Sequence, residues 1–121
     1  MTEFKICRDF VKLFKQHKKY NNLGVDDADL FHIPNGGARS QREGANFKKI
    51  GVKAGMADYE VIWSKNNIPD FGFLEAKTPR GRLSDKQKEF KSWCDILNIR
   101  YATFKDANEG IEILKDWGVI K

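Results

Sequence analysis

The amino-acid sequence predicts an α/β domain, because helical and strand-like patterns alternate along the chain. Near the N-terminus, apolar residues recur at intervals of three and four, which is the spacing of one face of a helix. Later segments are short, apolar and rich in aromatic and β-branched residues, which is typical of strands. A chain of 121 residues is large enough for one hydrophobic core but not for two, so we expect a single domain over residues 1–121.

The first elements follow from local signals. Thr2 can cap a first helix, and the basic residues at 15–19 suit its C-terminus. The apolar residues of this helix recur at helical spacing: Phe4, Cys7, Val11 and Phe14. The acidic segment 26–29 is expected to form a loop, and residues 30–34 are expected to form a short first strand.

The later elements have equally local signals. Two strand-like segments lie at 59–63 and 71–77, and a further one lies at 100–104. Ser84 begins a second helix, and Asp106 can cap the last helix. The second helix is expected to bury four residues: Phe90, Trp93, Cys94 and Leu97.

Three charged residues accompany the two central strand-like segments: Asp58, Glu75 and Lys77. Side chains two apart in a strand share a face, so Glu75 and Lys77 stand side by side. The run 71–74 is apolar on both faces, as in a covered central strand, where an unpaired charge costs roughly several kcal/mol. Binding of Mg²⁺ by one or two carboxylates would offset this cost. We therefore expect Asp58 and Glu75 to bind a metal, with Lys77 orienting a water molecule that attacks a phosphate.

Other interpretations of these residues stay open. Glu75 and Lys77 can form an ordinary ion pair on the surface. Ser84 and Gln87 have the spacing of a capping box, or they position a phosphate or a water molecule. Glu60 shares a strand face with the first acid of the trio, either as an additional ligand or as a solvated charge.

Several motifs occur in a fixed order along the chain: Asn35-Gly36-Gly37 with Arg39, Gly55-x-x-Asp58, Glu75-Ala76-Lys77 and Leu83-Ser84-x-x-Gln87. Together they resemble the VRR-NUC family of the PD-(D/E)XK nuclease superfamily, over nearly the whole chain from Glu3 to about Gly118. The resemblance implies a restriction-endonuclease-like core, with a central mixed sheet of about four strands in the order αβββαβα. Ala57 stands where the superfamily name has proline, which affects the rigidity of the loop rather than the chemistry.

The resemblance also implies the functional residues of an endonuclease that uses Mg²⁺ or Mn²⁺. Asp58, Glu75 and the Ala76 carbonyl are implied as metal ligands. Lys77 is implied as catalytic, and Gln87 has a supporting role in catalysis. Glu3 matches the position of a further acidic residue on the first helix of family members. The alternative for Glu3 is an acid that the helix dipole favours in the first turn.

The formal net charge of +5 and the isoelectric point near 9.2 suit a polyanionic partner. The residues expected to bind DNA lie around the predicted site: Arg39, Lys53, Arg80, Arg82 and Ser84. By analogy with the family, we expect a homodimer that acts on branched DNA such as a four-way (Holliday) junction, in DNA repair. Two alternatives stay open: a DNA-binding module without catalysis, and a restriction-type nuclease that reads sequence.

The composition argues against other classes of protein. No apolar run reaches the roughly 18 residues of a membrane span, and no signal peptide is recognisable. Cys7 and Cys94 are expected to be reduced residues of the core in an intracellular, cytoplasmic protein. His17 and His32 lack the spacing of zinc ligands. The aromatic residues are expected in the core, without an exposed series on which bases stack.

Overall fold

A computed structural model describes residues 1–34 and 41–121. Within these residues the helices are α1 (Glu3–Lys19), α2 (Gln41–Lys49), α3 (Asp85–Leu97) and α4 (Ala107–Asp116). The strands are β1 (Asp27–His32), β2 (Tyr59–Lys65), β3 (Ile68–Ala76) and β4 (Arg100–Phe104). The predicted class is confirmed, since a single mixed sheet of four strands is flanked by helices. Helix α2 is an addition to the predicted order, because its segment has too few apolar residues to show helical periodicity.

The sheet has the strand order β1-β2-β3-β4. Strands β1 and β2 are antiparallel, as are β2 and β3, whereas β3 and β4 are parallel. Asn66 and Asn67 form the turn between β2 and β3, both with positive φ, as a tight hairpin requires. The parallel pair needs a crossover, which α3 supplies. Because β2 and β3 are antiparallel, the end of β3 lies beside the start of β2.

The main core lies between one face of the sheet and the helices α1 and α4. Helix α1 contributes Ile6, Phe10 and Phe14, which are fully buried at intervals of four residues. The ring of Phe10 packs against the rings of Tyr59 on β2 and Phe104 on β4. These contacts fix α1 to β2 and β4, the strands on either side of β3, which carries Glu75.

Gly110 on α4 is the point where this core is most tightly packed against a helix backbone. A Cβ atom at this position would lie 2.6 Å from Cδ1 of Phe10. We expect Gly110→Ala to lower the free energy of unfolding by about 1–3 kcal/mol through overpacking, measured by urea denaturation.

Gly44→Ala is the matched control, because Gly44 also lies in a helix, and among the described residues no atom lies within 4 Å of the added Cβ. This variant is expected to gain about 0.5–1 kcal/mol, since alanine loses less backbone entropy than glycine in a helix. A stabilised Gly110→Ala variant would contradict the packing described for Phe10.

The second, smaller core lies between α3 and the opposite face of the sheet. It contains Phe73, Cys94 and Ala57, with Phe90 and Tyr101 packed against them. The prediction that α3 buries Trp93 and Leu97 is wrong, because these side chains are 53% and 49% exposed. Helix α3 packs mainly against β4, the edge strand, so its outer side has no sheet beneath it.

The predictions for the N-terminal third need two further corrections. Phe4 is 73% exposed, since the buried stripe of α1 begins at Ile6. Strand β1 begins at Asp27 rather than at Leu30, so most of the acidic segment is strand and not loop. Asp27 is exposed, whereas the next residue, Ala28, is buried opposite Trp63, as expected of an edge strand with one open face.

Both cysteines are free thiols, with Cys94 buried and Cys7 partly buried, as the sequence predicts. Across the part of the chain that the structure describes, no helix combines the length and the apolar character needed to cross a membrane.

Candidate active site

The end of β3 and the entry to β2 bring two carboxylates together. The backbone N–H of Ala76 donates to Oδ2 of Asp58 over 2.8 Å, and the N–H of Asp58 donates to Oε2 of Glu75 over 2.9 Å. Each acid thus binds the backbone of the strand that carries the other. The predicted convergence of Asp58 and Glu75 is therefore present in the structure.

Glu75 is buried, with only 2% of its surface exposed, and it is the one charged residue in this state among those described. Burial is the main reason that its pKa rises from 4.5 to about 8. The nearby charge of Asp58 raises this pKa further, whereas Lys77 and the N–H of Asp58 act in the opposite direction. Glu75 is therefore a carboxyl group that needs a positive partner to stay ionised at neutral pH.

Asp58 lies half-buried beside it, and burial also raises its pKa. The backbone N–H of Ala76 opposes this rise, as do the charges of His32 and Lys77. Because these three groups favour the charged form, Asp58 is better prepared than Glu75 to be an anion before any cation binds.

Lys77 completes the predicted trio. Its Nζ lies 3.8 Å from Oε1 of Glu75, and its side chain is only 12% exposed. The alternative of an ordinary surface ion pair is therefore wrong, since both partners are largely buried. A pair of this kind contributes little to stability compared with the cost of removing two charges from water. Its presence is more easily explained by chemistry than by folding.

Gln87 joins the start of α3 to the site. Its Oε1 accepts from the backbone N–H of Ser84, and the Ser84 hydroxyl accepts from the backbone N–H of Gln87, which is a complete capping box. The same side chain donates from Nε2 to Oε1 of Glu75 over 2.7 Å. The capping box is therefore confirmed, and the same amide also supports the buried acid. A role of Gln87 in positioning a phosphate or a water molecule stays a prediction.

We expect Gln87→Met, which keeps the length of the side chain but removes its polar atoms, to destabilise the protein by about 1–3 kcal/mol. The reason is that Oε1 of Glu75 stays buried and loses its closest donor. Urea denaturation in EDTA measures the change.

Ser84→Ala is the control for the capping contribution alone and is expected to cost about 1 kcal/mol. Equal losses for the two variants would show that Gln87 acts only as a helix cap.

The donor set suits a hard cation such as Mg²⁺ or Mn²⁺. Among the side chains that the structure describes, no group of three or more His, Cys, Asp or Glu residues is arranged to hold a metal ion. The site offers two carboxylates, a number that Mg²⁺ accepts when water and substrate phosphate complete its coordination. Glu3 is exposed at the start of α1, and its charge raises the pKa of Glu75 from that end of the fold. Metal ligation by Glu3 and by the Ala76 carbonyl stays a prediction.

Of the residues predicted to bind DNA, the structure describes four. Arg80 and Arg82 are exposed in the turn between β3 and α3, where the Gly81 N–H donates to the Thr78 carbonyl. Arg39, with the Asn35-Gly36-Gly37 motif, lies outside the described residues. Lys53 is exposed on the loop that leads to Asp58. Ser84 is engaged in the capping box.

Gly55 explains why the motif before Asp58 contains glycine. Its φ is +87°, and a Cβ atom at this position would lie 2.5 Å from the carbonyl of Lys86. Only glycine fits this backbone conformation and this close contact with the first turn of α3. The loop that carries Lys53 is therefore held against the helix that carries Gln87.

Two residues near the site were missed by sequence reasoning. His32 ends β1 opposite Tyr59 and places its charge close enough to lower the pKa of Asp58. The Tyr101 hydroxyl is buried and, within the described chain, has no hydrogen-bond partner. Its pKa is raised by burial first and then by the charges of Glu75 and other neighbours. The strand pairing of His32 was a usable signal, whereas no pattern in the sequence marks Tyr101.

Comparison of the chain with protein-family models, with curated proteins and with solved structures gave no match. The functional interpretation therefore depends on the residues and geometry of the site itself.

Proposed function

We propose that this protein is a metal-dependent endonuclease that hydrolyses phosphodiester bonds in DNA, with Mg²⁺ or Mn²⁺ as cofactor. The observation that supports this most strongly is the burial of Glu75 between three specific partners. They are the backbone N–H of Asp58, the Gln87 amide and the Lys77 ammonium group. A buried acid surrounded in this way is costly to maintain and is typical of a catalytic centre.

Each residue has a distinct role in the proposed reaction. Asp58 and Glu75 hold the cation, which when bound offsets the charge of the scissile phosphate and of the leaving oxygen. Lys77 lies beside Glu75 with its ammonium group able to donate a hydrogen bond to the attacking water and to the phosphate. Gln87 keeps Glu75 in place, so that the carboxylate need not reorganise during the reaction.

DNA is the proposed substrate because exposed cations precede and follow these acids in the chain. Lys53 precedes Asp58 on the same loop, and Arg80 and Arg82 follow Lys77. Basic side chains on both sides of a carboxylate centre would bind the phosphates that flank the cleaved bond. Branched DNA such as a four-way junction is the preferred substrate that we propose, by analogy with the family that the motifs resemble.

The experiment that tests the function is a cleavage panel of linear, nicked, flapped and four-way DNA, each with Mg²⁺, Mn²⁺ or EDTA. We expect cleavage with either metal, none in EDTA, and the highest rate on branched DNA irrespective of sequence. Mapping of the product ends on the four-way DNA shows whether the incisions are symmetric.

Asp58→Asn is the inactive control, because it keeps the size of the side chain but removes a charge that the cation needs. Binding of DNA by the wild-type protein without cleavage of any panel member would replace this proposal by a non-catalytic DNA-binding module. Cleavage only at one sequence in duplex DNA would replace it by a restriction-type nuclease.

We further propose that the protein acts as a homodimer. The open face of β1 and β2, with the adjoining part of β3, exposes Phe31, Ile62 and Phe71 by 39–50%. The acids Asp29 and Glu60 pair with residues of this patch, which makes it a poor surface for DNA. An apolar patch of this kind fits a second copy of the chain better than it fits a polyanion.

We expect Ile62→Asp to shift the protein from dimer to monomer in sedimentation equilibrium, because the charge would be buried at the proposed interface. Ile68→Asp is the matched control, since Ile68 is 69% exposed beside the turn between β2 and β3. A wild-type protein that sediments as a monomer at all concentrations would contradict the dimer.

A further inference from the structure

A groove with a volume of about 540 Å³ runs along α1 and reaches Tyr59, the residue that follows Asp58. We propose that it binds an unpaired strand of nucleic acid that leads into the site. This inference rests on the proposed nuclease function for the position of the cut, but binding in the groove is testable without it.

The rim of the groove is cationic. Arg8, Lys12 and Lys15 lie along it at intervals of four and three residues on α1, which places them on one side of the helix. His32 stands at the end of β1. Within the described residues, neither Lys12 nor Lys15 forms an ion pair, so both charges are available to phosphates.

The cations of α1 differ in their pairing. Further along α1, Lys18 lies 3.5 Å from Asp27 and 3.6 Å from Asp29, so two acids neutralise it. Arg8 lies 3.2 Å from its neighbour Asp9, and both side chains are well exposed. Among the described residues of the rim, Lys12 and Lys15 are therefore the cations most available to the phosphates of a strand in the groove.

The floor of the groove is apolar, and this favours an unpaired strand over a duplex. Phe4, Val11 and Tyr59 line it, and Phe4 is 73% exposed. Duplex DNA presents phosphates and sugars on its outside and keeps its bases stacked within. An unpaired strand can place a base on an aromatic ring while its phosphates follow a cationic rim. The exposure of Phe4, which has no role in the core, is explained by such stacking.

The groove is continuous with the active site through two neighbouring residues. His32 pairs with Tyr59 in the sheet, and their rings make an edge contact at 5.4 Å. Tyr59 directly follows Asp58, and the charge of His32 acts on that carboxylate. We place the exit of the strand past His32, which directs it toward the two acids. The substrate class that follows is DNA with a single-stranded arm at the cut, such as a flap or an opened junction.

The test is fluorescence anisotropy of a labelled 12-nucleotide oligo-dT in EDTA, so that no cleavage occurs. We expect Lys12→Ala/Lys15→Ala to weaken binding about ten-fold at low salt and to reduce the salt slope by about 1.4, which is roughly 0.7 for each phosphate contact. Phe4→Ala is expected to weaken binding at least about five-fold without changing the salt slope, because stacking releases no counterions.

Lys65→Ala/Lys121→Ala is the matched control. It removes the same charge from exposed positions away from the groove, at the β2–β3 turn and at the C-terminus. A 12-base-pair duplex is the control ligand, and its affinity is expected to be insensitive to Phe4→Ala.

Equal losses of oligo-dT affinity for the groove pair and for the control pair would overturn the inference. An equal loss of duplex affinity and of oligo-dT affinity in Phe4→Ala would also overturn it. Absence of oligo-dT binding by the wild-type protein would also overturn it, even if branched DNA is cleaved. Groove-dependent binding by a protein that cleaves nothing would support the groove and contradict the nuclease function instead.

Discussion

Replacement of Lys77 by alanine is expected to lower the rate of metal-dependent DNA cleavage by at least about 100-fold. The ammonium group lies 3.8 Å from Oε1 of Glu75 in a largely buried position, where its charge acts through a medium of low polarity. It is therefore the residue best placed to orient the attacking water and to stabilise the charge that develops on the phosphate. Single-turnover cleavage of four-way DNA measures this step directly, and binding in EDTA is expected to persist.

Two controls separate catalysis from metal binding and from general charge. Lys77 also lowers the pKa of Glu75, so its loss can weaken the affinity for the cation. A titration with Mn²⁺ distinguishes these effects, because full recovery of the rate at high Mn²⁺ would show that Lys77 acts only through the metal. Lys65→Ala, an exposed lysine at the opposite end of β2, is expected to cleave at the wild-type rate.

The stability of the metal-free protein is expected to fall as the pH rises from 6 to 9, and Glu75→Gln is expected to remove most of this fall. The pKa of Glu75 is about 8 in the folded protein, against an ordinary value of 4.5. Between these values the folded state holds a proton that the unfolded state has released. The stabilisation is therefore complete below pH 4.5 and is lost as the pH passes through 8.

Thermal unfolding in EDTA across this pH range measures the effect, and the melting temperature of the Glu75→Gln variant is expected to change less between pH 6 and pH 9 than that of the wild type. Glu89→Gln serves as the control, because Glu89 is an exposed carboxylate on α3. Mn²⁺ is expected to stabilise the wild type more at pH 8.5 than at pH 6, since the cation requires ionised ligands. A wild-type melting temperature that rises with pH in EDTA would contradict the burial of Glu75.

Local signals were sufficient to predict much of the fold. Strand β4 has the predicted bounds, and the capping residues Ser84 and Asp106 begin α3 and α4 as predicted. These features depend on residues within a few positions of one another, so a single sequence contains them. The convergence of Asp58 with Glu75 was also predictable, because Asp58 precedes the first and Glu75 lies near the end of the second of two successive strands that pair as a hairpin.

The remaining features depend on tertiary contacts. Helical spacing shows that Trp93 and Leu97 lie with other apolar residues, but it does not show that the sheet ends at β4 and leaves them exposed. From the sequence alone, the acids of β1 suggest a loop. The alternation of exposed acids with the buried Ala28 is recognisable as a strand only once Ala28 is placed opposite Trp63. The contact between Gln87 and Glu75 joins residues 12 apart across a turn, and no rule of local structure specifies it.

The two hydrogen bonds of the Gln87 side-chain amide link formation of the site to folding of α3. The Gln87 side chain caps the first turn of α3 and also donates a hydrogen bond to Glu75 on β3. The site therefore cannot form before the start of this helix has folded. A nascent or partly unfolded chain would thus carry all the residues of the proposed nuclease site without its activity. Slow hydrogen exchange of the backbone amides at the start of α3 should accordingly indicate an intact site. Fraying of this single turn would inactivate the site.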